Sequence, residues 1–129
     1  MQACVVEDDA AIRQTLRAIL ELEGYDVLEA SDGSAALEIL RATEGPLVVL
    51  LDLLMPGMDG ITLLQTVACG PELTESRAFI VVTAAPQMLT PPMTNLLNTM
   101  SIPIVAKPFD IDVLLDIVFR KAKALQVRG

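Results

Sequence analysis

The chain has 129 residues and 53% of them are hydrophobic, enough for one domain with a real core and too few for two. Acids outnumber bases 17 to 9 and histidine is absent, giving a net charge of −8. A surface of that sign repels phosphate backbones, which excludes direct nucleic-acid binding by this domain.

Met1-Gln2-Ala3 lacks the basic segment of a secretory leader and runs into strand-like sequence. No apolar run reaches the ~18 residues of a membrane span. The expectation is a cytoplasmic protein that does not enter a membrane. Ala3-Cys4-Val5-Val6 is predicted as the first strand, and three acids follow it, Glu7, Asp8 and Asp9. Ile12, Leu16, Ile19 and Leu20 then recur at helical spacing, and Gly24 is the natural stop. Asp26-Val27-Leu28-Glu29-Ala30 reads as a second strand. Ser31-Asp32-Gly33-Ser34 is turn and cap chemistry ahead of a second helix through Ala36, Leu37 and Leu40.

Gly45-Pro46 breaks the chain before Leu47-Val48-Val49-Leu50-Leu51, an unbroken apolar run that ends at Asp52. Such a run reads as a strand buried on both faces of a parallel sheet. Asp59-Gly60 opens a third helix, predicted to turn Ile61, Leu64 and Ala68 inward and to end at Gly70-Pro71. Residues 72–77 are polar and predicted as a loop. Phe79-Ile80-Val81-Val82 is a fourth buried strand ending at Thr83. Thr90-Pro91-Pro92 is predicted to cap and begin a fourth helix. Ile102-Pro103-Ile104-Val105-Ala106 is a fifth strand, placed at an edge by Pro103, and it ends at Lys107-Pro108. Asp110 is predicted to cap a fifth helix running to about Ala124. A single domain over residues 1–124 is expected, with residues 125–129 as a tail or the start of a linker.

Strands alternating with helices imply crossover units and an α/β fold with a parallel sheet. Ligands of such sheets bind at the carboxyl ends of the strands. Those ends carry Glu7 and Asp8, Asp52, Thr83 and Lys107. Each has an ordinary structural explanation. Asp9, and less readily Asp8, would serve as a helix cap, Thr83 is a good strand former, and Lys107 would serve as a solvated charge. Together they fit one chemistry. Clustered carboxylates need a cation to stay ionised together. Mg²⁺ takes one or two carboxylates and fills its other positions with water and phosphate oxygens. Lys neutralises a transferring phosphoryl group, Thr donates to it, and a carboxylate can accept it. Zinc is excluded because there is no histidine, and Cys4 and Cys69, expected to be reduced thiols, have no ligand spacing.

Val6-Glu7-Asp8-Asp9, Asp52 with Met55-Pro56-Gly57-Met58-Asp59-Gly60, Val82-Thr83-Ala84 and Lys107-Pro108-Phe109 are spread over nearly the whole chain. In this combination the sequence resembles the receiver domain of two-component response regulators. The resemblance implies a flavodoxin-like, doubly wound three-layer fold with strand order 2-1-3-4-5. Two helices would cover one face of the sheet and three the other. It also implies that Asp52 accepts a phosphoryl group from the phosphohistidine of a histidine kinase or histidine phosphotransfer protein. Asp8, Asp52 and the backbone carbonyl of Leu54 would hold Mg²⁺, with Glu7 acting through water, while Thr83 and Lys107 would contact the phosphoryl group. Such a domain is a signalling switch and not a turnover enzyme.

Three departures accompany the resemblance, one of them the proline pair Pro91-Pro92 at the start of the fourth helix. Ile104 stands where the family usually has an aromatic residue, and Asn98-Thr99-Met100-Ser101 replaces the usual Gly-Ala segment. Rival readings are a receiver-like docking module that works without phosphorylation and a phosphatase with a nucleophilic Asp. The phosphatase pattern needs Asp-x-Asp, whereas Asp52 is followed by Leu53-Leu54. The fifth helix carries more apolar residues than one inward stripe needs. The surface of the fourth helix, fifth strand and fifth helix is therefore the expected face for a homodimer or output partner.

Overall fold

The computed structural model describes residues 1–53 and 60–128. Five parallel strands, β1 (Gln2–Val6), β2 (Asp26–Ala30), β3 (Leu47–Leu51), β4 (Arg77–Thr83) and β5 (Ile104–Ala106), form one sheet in the order β2-β1-β3-β4-β5. The expected flavodoxin-like α/β architecture is therefore present. Five main helices connect and follow the strands: α1 (Ala10–Leu22), α2 (Gly33–Ala42), α3 (Gly60–Ala68), α4 (Pro91–Thr99) and α5 (Ile111–Arg128).

Period-two alternation divides each central strand between two cores. Leu47, Val49 and Leu51 of β3 face a cluster with Leu37 and Leu40 of α2, Leu63, Leu64 and Val67 of α3, and Leu97 of α4. Val48 and Leu50 face the other cluster, with Leu16 and Leu20 of α1 and Leu114 and Val118 of α5. All five β3 residues are buried, as the unbroken apolar run requires. β5 lies at the sheet edge, where Pro103 was expected to put it.

Several details differ from expectation. Residues 72–77 are not simply a loop, because Pro71–Thr74 forms a single helical turn and β4 already begins at Arg77. Pro71 suits the start of that turn, since it lacks the amide a first helical turn leaves unused. The inward side of α3 is Leu63, Leu64 and Val67, while Ala68 is exposed and Ile61 half-buried. Thr90 holds the cap position of α4, but its side chain makes no capping hydrogen bond. α5 continues past Ala124 to Arg128, with Leu125 buried in the α1/α5 core, so residues 125–128 extend the helix and are not a loose tail.

The substituted segment before β5 has a clear local form. Ser101 adopts φ 57°, a left-handed conformation that glycine takes without strain. Its carbonyl accepts a 2.8 Å hydrogen bond from Lys121 Nζ of α5. Gly24, with φ 89°, ends α1 in the same region of backbone space.

Candidate functional site

The register of the sheet assembles the site. Val6 pairs with Leu51, so Glu7 and Asp52 leave their strands side by side. The pairing continues one step further, as Asp52 N–H donates to the Val6 carbonyl at 3.1 Å. Thr83 pairs with Ala106, and Lys107 N–H donates to the Thr83 carbonyl at 2.8 Å. Glu7, Asp52 and Lys107 each lie two residues beyond a side chain of the α1/α5 core, namely Val5, Leu50 and Val105. Alternation therefore sends all three towards one side of the sheet edge.

There Lys107 Nζ stands 2.8 Å from Glu7 Oε1 and 3.4 Å from Asp52 Oδ2. Glu7, Asp8 and Asp52 each present an oxygen within 4.8 Å of the others. Glu7 is buried at 2% exposure, Asp52 is half-buried and Asp8 is exposed, so the cluster opens to solvent on one side. Burial, reinforced by the neighbouring Asp52 carboxylate, pushes the Glu7 carboxyl up to about 7 against the opposing pull of Lys107. Burial also works against the Lys107 ammonium, but the Glu7 hydrogen bond and the field of Asp52 outweigh it and raise its pKa.

This donor set suits a hard divalent cation. Every donor is a carboxylate oxygen, and one ammonium does not balance three acids. Glu7 Oε2 is buried and has no hydrogen-bond partner among the described residues. A buried carboxylate oxygen in that position is what an ion, or water bound to one, would satisfy.

Thr83 is fully buried, and its Oγ1 accepts from the Ala85 amide at 3.2 Å. Its described link to Lys107 runs through the backbone. Asp9 is not part of the cluster: it caps α1, accepting from Ala11 N–H at 2.9 Å and Ile12 N–H at 3.1 Å. Leu54, expected to offer its carbonyl, lies outside the described residues.

Gly60 shapes the site from behind. A side chain there would place its Cβ 2.6 Å from the Asp52 carbonyl oxygen and 2.6 Å from Leu53 Cα, both backbone atoms. The start of α3 can thus approach the strand end only without a side chain, and Gly60 N–H donates to the Leu53 carbonyl at 3.2 Å. Beside the cluster, an apolar hollow of about 430 Å³ opens between Ile12 and Thr15 of α1 and Ala84, Pro108 and Phe109. The Lys107–Pro108 peptide is cis.

Sequence reasoning passed over Arg13. Its Nη1 donates to the Glu7 carbonyl at 2.8 Å, and its Nε lies 3.6 Å from Glu29 Oε1. The available signal was spacing, because Arg13 and Arg17 stand one turn apart on α1 and Glu29 on β2 is an acid among apolar residues.

Compared with known proteins, residues 3–119 match the family described as response regulator receiver domain. Sporulation initiation phosphotransferase F of Bacillus subtilis is 35% identical over 114 residues, which cover 88% of this chain and 87% of that protein. The aerobic respiration control protein ArcA of Escherichia coli is 44% identical over 59 residues, 46% of this chain and 24% of that protein. The matched stretches, just under half of this chain, cover about a quarter of the longer regulators. Among solved structures, a CheY-like receiver domain protein from Methanospirillum hungatei superposes with a TM-score of 0.83 at 27% identity, covering 97% of this chain and 96% of that one. The receiver domain of the hybrid histidine kinase CckA gives a TM-score of 0.74 at 27% identity, covering 95% and 99%. With the sheet order and the clustered acids already in place, the chain belongs to the response regulator receiver domains of two-component signalling.

Proposed function

We propose that Asp52 is a phosphoacceptor, loaded from the phosphohistidine of a histidine kinase or a histidine phosphotransfer protein. The observation that carries this reading is the meeting of Asp52 with Lys107 at 3.4 Å and with Glu7 and Asp8 within 4.8 Å. A carboxylate oxygen attacks phosphorus, and a P–O bond forms as the P–N bond to the donor imidazole breaks. The imidazole leaves with the electron pair and takes up a proton. Asp8 and Asp52 would hold Mg²⁺, with the Leu54 carbonyl as a further ligand and Glu7 acting through water. When bound, the ion offsets charge on the phosphoryl oxygens.

Lys107 supplies the second positive charge, released in part from Glu7. The Thr83 hydroxyl accepts from Ala85, which leaves its own hydrogen to donate to a phosphoryl oxygen. Because the phosphoryl group ends on the chain, the outcome is a switched surface and not a released product. The receiver unit is residues 1–124 together with the last turn of α5, whose Leu125 is buried in the same core, and α4, β5 and α5 form the face that meets an output partner or a second copy. Among the described residues no helix is long and apolar enough to cross a membrane, which is compatible with action in the cytoplasm.

The test uses a small phosphodonor such as acetyl phosphate with Mg²⁺, read by intact-protein mass. The wild type should gain one phosphoryl group and Asp52→Asn none. Equal labelling of Asp52→Asn would remove Asp52 from this role.

A further inference from the structure

We infer that Arg13 is a positioning residue for the acid pair, holding the backbone of Glu7 and Asp8 in the conformation that binds a divalent cation. The inference rests on the metal reading above and extends it to a residue outside the cluster. Glu7 and Asp8 follow the last residue of β1, where sheet pairing ends. The Glu7 amide is tied down by the Ala30 carbonyl at 3.0 Å. Its carbonyl, at the peptide that leads into Asp8, is held by the Arg13 guanidinium at 2.8 Å.

Arg13 is itself fixed from two directions. Its backbone amide donates to the Asp9 carbonyl at 2.9 Å within α1, and its Nε faces Glu29 of β2 at 3.6 Å. The Arg13 side chain is 20% exposed, so the contact is partly shielded from water. The geometry thus links β1, α1 and β2 at the one peptide that sets the direction of the Asp8 carboxylate. A hydrogen bond from a charged donor to that carbonyl is stronger than a neutral one. Outer groups that orient metal ligands typically change affinity by about 10–100-fold when removed.

Arg17 provides the internal control. It pairs with the same Glu29, at 2.7 Å, and with Glu21 at 2.8 Å, and its hydrogen bonds go to those two carboxylates. Loss of either arginine removes an ion pair to Glu29, but only Arg13 touches the Glu7 carbonyl.

The experiment measures Mg²⁺ affinity by calorimetry on the full chain, with thermal unfolding measured in parallel without Mg²⁺. Arg13→Gln should bind Mg²⁺ at least about tenfold more weakly than the wild type. Arg17→Gln should bind within about twofold of the wild type at a similar loss of melting temperature, which separates positioning from general stability. Equal weakening by both substitutions, or an Arg13→Gln variant that binds like the wild type, would overturn the inference. A wild type that binds no Mg²⁺ would instead overturn the metal reading on which it stands.

Discussion

Glu7 has one oxygen on the Lys107 ammonium and the other buried with no hydrogen-bond partner among the described residues. Its pKa, about 7 against an ordinary 4.5, expresses the cost of holding charge there. Between those two values the folded chain keeps a proton that the unfolded chain has lost. This group's contribution to stability therefore falls as pH rises through that window when no metal is bound. Metal affinity moves the opposite way, because a divalent cation favours the ionised acid and displaces the proton. Mg²⁺ should bind about tenfold more weakly at pH 6 than on the plateau above pH 8, as a single displaced proton requires. Titrations at the two pH values check this, and Glu7→Gln should flatten the dependence. A wild type with the same affinity at both values would show that Glu7 does not charge on binding.

At the scale of elements, Asp8 and Asp9 are adjacent in sequence but serve different structures. Asp8 joins the carboxylate cluster, whereas Asp9 accepts two amides of the first turn of α1. Asp9→Ala should therefore cost about 1 kcal/mol of stability, the usual value of an N-cap, and leave Mg²⁺ affinity unchanged. Chemical denaturation and calorimetry on the same variant check both halves. If Asp9→Ala abolished metal binding and Asp8→Ala did not, the assignment of the acid pair would be one residue out.

The choice of Asp8 for the acid pair came with the resemblance to receiver domains, but the preference for Asp9 as the helix cap was legible in the sequence itself. So were the strands, since Leu47 to Leu51 and Phe79 to Val82 are too apolar to belong anywhere but a sheet covered on both faces. The α3 register was not legible. Ile61, Leu63, Leu64, Val67 and Ala68 are all apolar, so periodicity could not separate the buried Leu63 from the exposed Ala68. The full length of α5 was also hidden, because Leu125 becomes core only once α5 lies against α1 and the sheet. At the site, the types and spacing of Asp8, Asp52 and Lys107 were readable. The Lys107–Glu7 ion pair and the Arg13 contact were not, because they join residues that only the folded sheet brings together.

At the scale of the whole molecule, the excess apolar residues of α5 separate into two groups. Phe119, 42% exposed, stacks one side of its ring on Tyr25, between α1 and β2, with centroids 6.3 Å apart. Ile111 and Val113 are about half exposed at the start of α5, and Ile104 is 40% exposed on the edge strand β5. Ile104 occupies the position where the family usually carries an aromatic side chain. Apolar side chains left open on a sheet edge are a ready place for another chain to bind. Lys107 follows β5 directly, so a shift of its ammonium towards a phosphoryl group would pull on the strand that carries Ile104. Ile104 and Lys107 stand three residues apart on one stretch of backbone. Loading the chain with beryllofluoride and Mg²⁺, a stable stand-in for the phosphoryl group, should promote self-association or partner capture through this face. Ile104→Glu should weaken that association by about tenfold, the effect of losing one well-packed anchor. Leu22→Glu is the control, because Leu22 is 86% exposed at the end of α1, on a different part of the surface. Sedimentation of loaded and unloaded protein provides the measurement. Equal effects of the two substitutions, or an interface mapped wholly to α2 and α3, would move the output surface away from β5.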